Sequence, residues 1–500
     1  MNVLTRARLT FCSTETLGTM MQSLAEVHGN RRLVTDDDGR SLSYRQAAKR
    51  VERWAGGIAA VTEPGDRVVL HLPNTYDLFL LVLATARAGC IAVPINPQMR
   101  RDEVTHVVAD SGAHLVVRSV HQVDGADPLL EPRVPPDGVD AGSIAALFYT
   151  SGTTGKPKGA ELTHRALVGQ ATAGVVWPAI LHRDEVVFAL PIAHIMGFST
   201  LMGLACLGVP VFALASFRPV EVLDAIEERR ATIFIGVPAM YRMMEEAGAD
   251  QRDLTSIRIW GSGADAMPAD LARRFKKMGA TATLPLIGPV GEAAFLEGYG
   301  MVEVGGGVAA KVSPPMLDLG LGESIGFQLP SYKFRVVDDD GHDVRTGLTG
   351  ELWVRGPGVI KGYWNAPEIS ARTVTEDGWL RTGDLVRKGP LGTVLFVGRQ
   401  KDVIKHAGYS VYALEVQEVL ERHPAVLEAA VIGLPDQRKG EIPVAVVRLV
   451  DGADLTELGL EAWASEHLSR YKVPRRFVAV DDLPRTGTNK VQKQELLALF

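Results

Sequence analysis

Residues 144–159 constrain the fold more than any other stretch of this chain. Ile144-Ala145-Ala146-Leu147-Phe148 is a short apolar run of the kind that forms a buried strand. It leads into Tyr149-Thr150-Ser151-Gly152-Thr153-Thr154-Gly155-Lys156-Pro157-Lys158-Gly159, after which Ala160–Arg165 reads as the approach to a helix. Glycines let backbone N–H groups come close to an anion, and successive N–H groups form a concave nest for phosphate oxygens. The hydroxyls of Thr150, Ser151, Thr153 and Thr154 and the ammonium groups of Lys156 and Lys158 add donors. A polyphosphate suits such a loop. The Walker spacing does not fit, because Lys156 is followed by Pro157 and Gly152 stands too close to Gly155. The plainer reading of Ser, Thr and Gly together is a flexible surface turn.

Five hundred residues exceed one compact core, so two to four domains are expected at about 150 residues each. The formal net charge of -6 argues against nucleic acid as a main partner, which would want a basic footprint. Cys12, Cys90 and Cys206 are too few and too scattered for a disulfide framework or a metal cluster, and a reducing cytoplasm fits best. The N-terminus has Arg6 and Arg8 but no apolar core of a signal peptide. Leu78–Ile95 is broken by Arg87 and closed by Pro94, which predicts a helix, a Gly89 stop and a buried strand instead of a membrane span.

In chain order, 33–44 reads as a hairpin around Asp38-Gly39 with a helix from Ser43. Strand and helix then alternate through 65–94, which predicts a doubly wound α/β sheet. Strands are expected at 186–190, 232–238 and 257–264, and a basic helix at 270–278. Thr281–Glu292, rich in Pro and Gly, reads as a loop with no chemical role of its own; it could cap an acyl pocket. Past Lys405 the pattern is that of a smaller α+β region, with helices at 413–422 and 457–468 and strands at 426–434 and 444–450.

Further motifs accompany the loop. They are Pro191-Ile192-Ala193-His194, Ile257–Ala264 with Gly261 and Gly263, Gly298-Tyr299-Gly300-Met301-Val302-Glu303, Thr382-Gly383-Asp384, Gly398-Arg399-Gln400-Lys401, His406-Ala407-Gly408, and Leu483–Val491 with Asn489-Lys490. Singly each has a plain alternative: a packed core histidine, a strand-to-helix turn, a solvated Glu or Lys, a polar hairpin. Together with the loop they resemble the AMP-forming adenylating enzymes, the superfamily of acyl-CoA synthetases, peptide-synthetase adenylation domains and luciferases. The resemblance covers nearly the whole chain.

The resemblance implies an α/β fold: a large N-terminal domain (1–398) of stacked doubly wound sheets plus a β-barrel-like subdomain, and a small mobile α+β domain (399–500) hinged near Lys401. It implies ATP, Mg²⁺ and coenzyme A as cofactor and co-substrates. Thr150, Ser151, Gly152, Thr153, Thr154, Gly155 and Lys158 would hold phosphates. Gly263 would border the adenine and the acyl pocket, Tyr299 would stack on adenine, and Gly300, Met301 and Val302 complete that motif. Glu303 would bind Mg²⁺, Asp384 and Arg399 the ribose, and Gly408 would line the pantetheine tunnel. Lys490 would reach the reacting carboxylate and α-phosphate, with His194 beside them. His194 needs no general-base role, because a carboxylate is already ionised at neutral pH.

Two positions depart from the pattern. Val302 stands where threonine is usual and cannot donate to the α-phosphate, and Asn489 stands where glycine is usual. Ile195, Phe198, Val237, Trp260 and Gly306 are the pocket candidates, and their apolar character favours an aliphatic or aromatic acid. The implied activity is that of a fatty-acid–CoA ligase in lipid metabolism. A carrier-protein acceptor, a luciferase-like oxygenase and a degenerate nucleotide-binding protein are the alternatives. The implied partners are small molecules, with a homodimer or a carrier protein left open.

Overall fold

The structure, a computed structural model, describes residues 9, 16–125, 139–150, 156–169, 171, 184–284, 286–317, 324–485 and 491–500. The chain divides into two compact units. The first joins 1–333 to 354–380, and the second joins 334–353 to 381–500.

The first unit holds two large sheets. One has nine strands in the spatial order 327–328, 306–313, 294–301, 259–263, 233–236, 186–188, 211–213, 32–36 and 41–43. The strands from 294–301 through 32–36 run parallel to their neighbours, and antiparallel partners close both edges. The other has five, in the order 115–117, 67–70, 91–94, 144–150 and 158–163, parallel except for the last pair. Continuous apolar runs such as Val68-Val69-Leu70 are what strands covered on both faces require.

The helix Tyr76–Arg87 explains how the sheets share a core. Leu78, Phe79, Leu80, Leu81, Val82, Leu83 and Ala84 are all fully buried, so it is apolar all round, as an interior helix should be. Thr75 precedes it, and Gly89 at a φ of 78° ends the turn after it, as the sequence predicts. Phe79 meets Phe198 at 5.3 Å between ring centroids, and Phe198 meets Phe148 at 5.7 Å. Phe148 belongs to the five-stranded sheet and Phe198 to the helix Ile195–Leu207 that covers the nine-stranded one. Ser43 caps the helix Tyr44–Ala59 through a capping box with Gln46, at the expected place.

Two expectations change. Ala160–Arg165, expected as the approach to a helix, is strand through Thr163: Lys158–Thr163 folds back antiparallel on Ile144–Thr150. Backbone ladder bonds claim those residues first, and the helix starts only at His164, where Thr163 Oγ1 accepts from Ala166 N at 3.1 Å. Ile144–Thr150 and Lys158–Thr163 are therefore the paired arms of a hairpin. Likewise 281–292 is a hairpin (Ala282–Leu284 with Gly288–Val290) with Leu284, Ile287 and Val290 exposed.

The second unit holds most of a four-stranded sheet (333–337, 349–355, 380–388, 394–399). It also holds a five-stranded sheet in which 440–449 lies between 403–406 and 426–436, with 477–479 alongside. Helices Ala413–Glu421 and Leu460–His467 pack on this sheet through Val416, Leu420, Leu460 and Ala464. No helix among the described residues is long and apolar enough to cross a membrane.

One carboxylate sets a pH response of the first unit. Asp36, half-buried, is pushed up to about 6 by burial first and then by Asp77, Asp38 and Asp37, with Arg50 opposing. The folded state thus disfavours its ionised form. Stability from this residue is fully present below the unfolded value of 3.8 and is lost as pH rises through 6. Asp36→Asn should therefore raise the melting temperature at pH 8, with the gain shrinking from pH 6 to pH 4. A gain that does not depend on pH would contradict this.

Candidate active site

The phosphate hairpin is anchored at its stem. Thr150 pairs with Lys158 and Tyr149 with Gly159 as the last ladder positions before the loop. The Tyr149 hydroxyl donates to Asp110 Oδ2 at 2.7 Å, and His106 Nε2 donates to the Pro157 carbonyl at 2.9 Å. Both partners lie on the helix Arg101–Ser111, so one helix fixes both sides of the stem. Ser151, Gly152, Thr153, Thr154 and Gly155, expected to hold phosphates, lie outside the described residues, as does Lys490.

Gly298–Glu303 forms the end of the strand Ala294–Met301 and a single 3-10 turn, Val302–Val304. Gly300 and Gly306 cross so closely that a Cβ on Gly300 would lie 1.9 Å from the Gly306 carbonyl oxygen. Gly305, at a φ of 72°, is approached by the Ala166 carbonyl, 2.6 Å from where its Cβ would be. The Ala166 backbone thus occupies the near side of Gly305. Val302 is buried in the main core, where a methyl packs and a hydroxyl would need a partner.

Glu303 is half-buried, and the Tyr363 hydroxyl donates to its Oε1 at 2.7 Å. Its main-chain oxygen accepts from Ile360 N at 3.0 Å, and the next carbonyl, Val304, accepts from the Tyr332 hydroxyl at 3.3 Å. Among the described residues no cation pairs with this carboxylate. A lone, aimed carboxylate is the donor set Mg²⁺ takes, because it fills its remaining positions with phosphate oxygens and water. The residues present therefore fit the ion. The Asp338, Asp340 and His342 group is exposed and lies on a turn of the second unit.

His194 caps the helix Ile195–Leu207, its Nδ1 accepting from Met196 N at 3.3 Å. Gly263 stands opposite Gly298 on the neighbouring parallel strand. Met196 packs over Gly263, and a Cβ on Gly298 would meet only the Ser262 carbonyl, at 4.0 Å. Tyr299 follows at the β-bulge between Tyr299 and Gly300. Of the pocket candidates, Phe198 and Ile195 lie in the shared core, and Trp260 sits with Tyr241 and Phe275 on the far face of the sheet from Gly263. They are core residues because strand and helix periodicity turns them inward.

In the second unit Asp384 is only 1% exposed and pairs with Arg399 at 3.1 Å across adjacent antiparallel strands. Its N–H donates to Thr382 Oγ1 at 3.1 Å. Lys401 lies in the 3-10 turn Gln400–Asp402, its ammonium held below the usual lysine range by burial and then by Arg399. Ala407 and Gly408 form the two-residue turn between 403–406 and 409–412, both at positive φ, which a type I′ hairpin requires.

The sequence reading missed Tyr363. It follows Gly362 in a segment with no periodicity, and only the tertiary register brings it to Glu303.

The AMP-binding enzyme family matches residues 21–364 and its C-terminal domain matches 415–490, so the chain belongs to that family, among its acyl-CoA synthetases. It is an ATP-dependent acid–CoA ligase. A feruloyl-CoA synthase of Amycolatopsis sp is 35% identical over 493 residues, covering 92% of this chain and 94% of that protein. An indoleacetate–CoA ligase of Aromatoleum aromaticum is 33% identical, covering 92% and 93%. The solved structure of ATP-bound MatB from Rhodopseudomonas palustris superposes with a TM-score of 0.83 at 28% identity, covering 97% of this chain and 99% of that one.

Proposed function

We propose that this ligase activates an aromatic carboxylic acid. The acid and ATP form an acyl-adenylate and pyrophosphate, and the thiol of coenzyme A then displaces AMP. The observation that carries the aromatic reading is the open space over Gly298: Met196 covers Gly263, its partner in register on the next strand, but the side-chain-free backbone at Gly298 leaves a flat ring a surface to lie on. Relatives acting on feruloyl and indoleacetate groups support it over the fatty acid expected from sequence.

The first step joins two anions, so positive charge must cover them. Bound Mg²⁺ supplies charge neutralisation at the phosphates, and Glu303 would hold it. Lys158 and the hairpin donors orient the phosphates, Tyr299 stacks on adenine, and Asp384 accepts from the ribose hydroxyls with Arg399 fixing its carboxylate. Lys490 serves the bond being formed. Rotation about Lys401 would then withdraw Lys490 and bring Gly408 to the thiol.

ATP–pyrophosphate exchange with ferulate, indoleacetate and straight-chain acids of graded length tests the substrate class. Aromatic acids should exceed every straight-chain acid at least about tenfold in kcat/KM, a difference of roughly 1.4 kcal/mol. A straight-chain optimum would overturn the reading.

A further inference from the structure

We infer that Tyr363 is a positioning residue for the Mg²⁺-binding carboxylate: its phenol fixes one oxygen of Glu303 and so aims the other at the phosphates. This rests on the role proposed for Glu303.

The geometry is a closed strut. The Tyr363 hydroxyl reaches Glu303 Oε1 at 2.7 Å, while the backbone of the same short segment, at Ile360 N, holds the Glu303 carbonyl at 3.0 Å. Glu303 is thus held at its main chain and at its side chain by residues three apart. The other side of the segment is laced to the strand that leaves the phosphate loop. Glu161 N donates to the Gly362 carbonyl at 3.0 Å, Trp364 N donates to the Gly159 carbonyl at 2.8 Å, and Ala160 and Tyr363 form a bridge. Tyr363 N donates to Ser370 Oγ at 2.7 Å, which anchors the tyrosine itself to the helix Pro367–Thr373. Segment 360–364 therefore sets the separation between the loop stem at Lys158–Gly159 and the carboxylate of Glu303.

Such a strut matters for Mg²⁺ in particular. The ion demands near-ideal octahedral geometry and keeps several waters, so a single protein ligand must present its oxygen in the right direction. Groups that hydrogen-bond a ligating carboxylate orient it, and losing one costs 10- to 100-fold in metal affinity. The hydrogen bond leaves Oε2 for the ion.

The test uses the full-length protein and the non-hydrolysable analogue α,β-methylene-ATP, titrated at a series of Mg²⁺ concentrations by calorimetry, with AMP binding in EDTA as the metal-free reference. Tyr363→Phe keeps the ring and the main-chain lacing. It should raise the Mg²⁺ concentration for half-maximal tightening about tenfold and leave metal-free AMP binding unchanged. Glu303→Gln should abolish most of the Mg²⁺ dependence, and Tyr363→Phe added to it should do nothing more. Should Tyr363→Phe fail to fold, Ser370→Ala, which loosens the tyrosine's main chain, should shift the Mg²⁺ requirement in the same direction by a smaller factor. Equal losses with and without metal, or the same Mg²⁺ shift in the Glu303→Gln background, would make Tyr363 a scaffold residue only and overturn the inference. A Glu303→Gln protein with unaltered Mg²⁺ dependence would instead remove the role of Glu303, and the inference with it.

Discussion

Changing Lys490 to alanine is expected to lower acyl-adenylate formation by about 10²–10³-fold, by analogy with loss of one preorganised oxyanion donor. Thioester formation from a supplied acyl-adenylate is expected to stay close to that of the unmodified enzyme. The asymmetry follows from charge. In the first half-reaction a carboxylate must approach the α-phosphate, and both are anions. In the second, a thiol attacks a neutral acyl carbonyl and AMP leaves, so the lysine has less to neutralise. Pyrophosphate exchange measures the first half, and consumption of a synthetic adenylate with coenzyme A measures the second. Equal losses in both would remove the half-reaction-specific role assigned to this residue.

Trp260→Ala is expected to destabilise the first unit by about 3–5 kcal/mol, the usual cost of truncating a fully buried large aromatic. The indole is 0% exposed and lies edge-on to Phe275 at 5.1 Å, Tyr241 at 6.0 Å and Phe234 at 6.1 Å. Its buried N–H has no hydrogen-bond partner among the described residues. Trp260→Phe should therefore cost much less, because it removes an unsatisfied donor along with the volume. Urea unfolding followed by circular dichroism reads both changes. The acid preference of either variant should match that of the parent enzyme. A Trp260→Ala protein of normal stability but altered acid preference would return this side chain to the substrate pocket.

Much of the architecture was legible because periodicity and punctuation agree. The Ser43 capping box, the Gly89 stop and the strand–helix alternation through residue 94 each satisfy a local rule, and tertiary packing does not override them. The phosphate hairpin was misread at its second half because Lys158–Thr163 carries no alternation that separates a strand from an approaching helix. Its partner across the ladder, Ile144–Thr150, decides the outcome. The same limit applies to the site. Glu303 stands out in Gly-Tyr-Gly-Met-Val-Glu, and Asp384 in a Thr-Gly-Asp triplet. Tyr363 lies sixty residues from Glu303 and is tied to it only by the fold. Phe198 and Trp260 show the converse error: apolar character near a motif does not say whether a side chain turns toward a ligand or toward the core.

The interleaved order of the two units bears on how a ribosome delivers them. Phe334–Trp353 belongs to the second unit, yet it is made before Val354–Leu380, which completes the first. While translation passes this point, the strand 349–355 waits for 380–388, its neighbour in the sheet, and offers unpaired backbone to any other nascent strand. The phosphate hairpin and the Glu303 turn are synthesised earlier still, but the strut at 360–364 that sets their spacing comes only afterwards. A fragment released before residue 364 would carry most of the nucleotide motifs and lack the brace between them, so the enzyme's working parts become a site only late in synthesis.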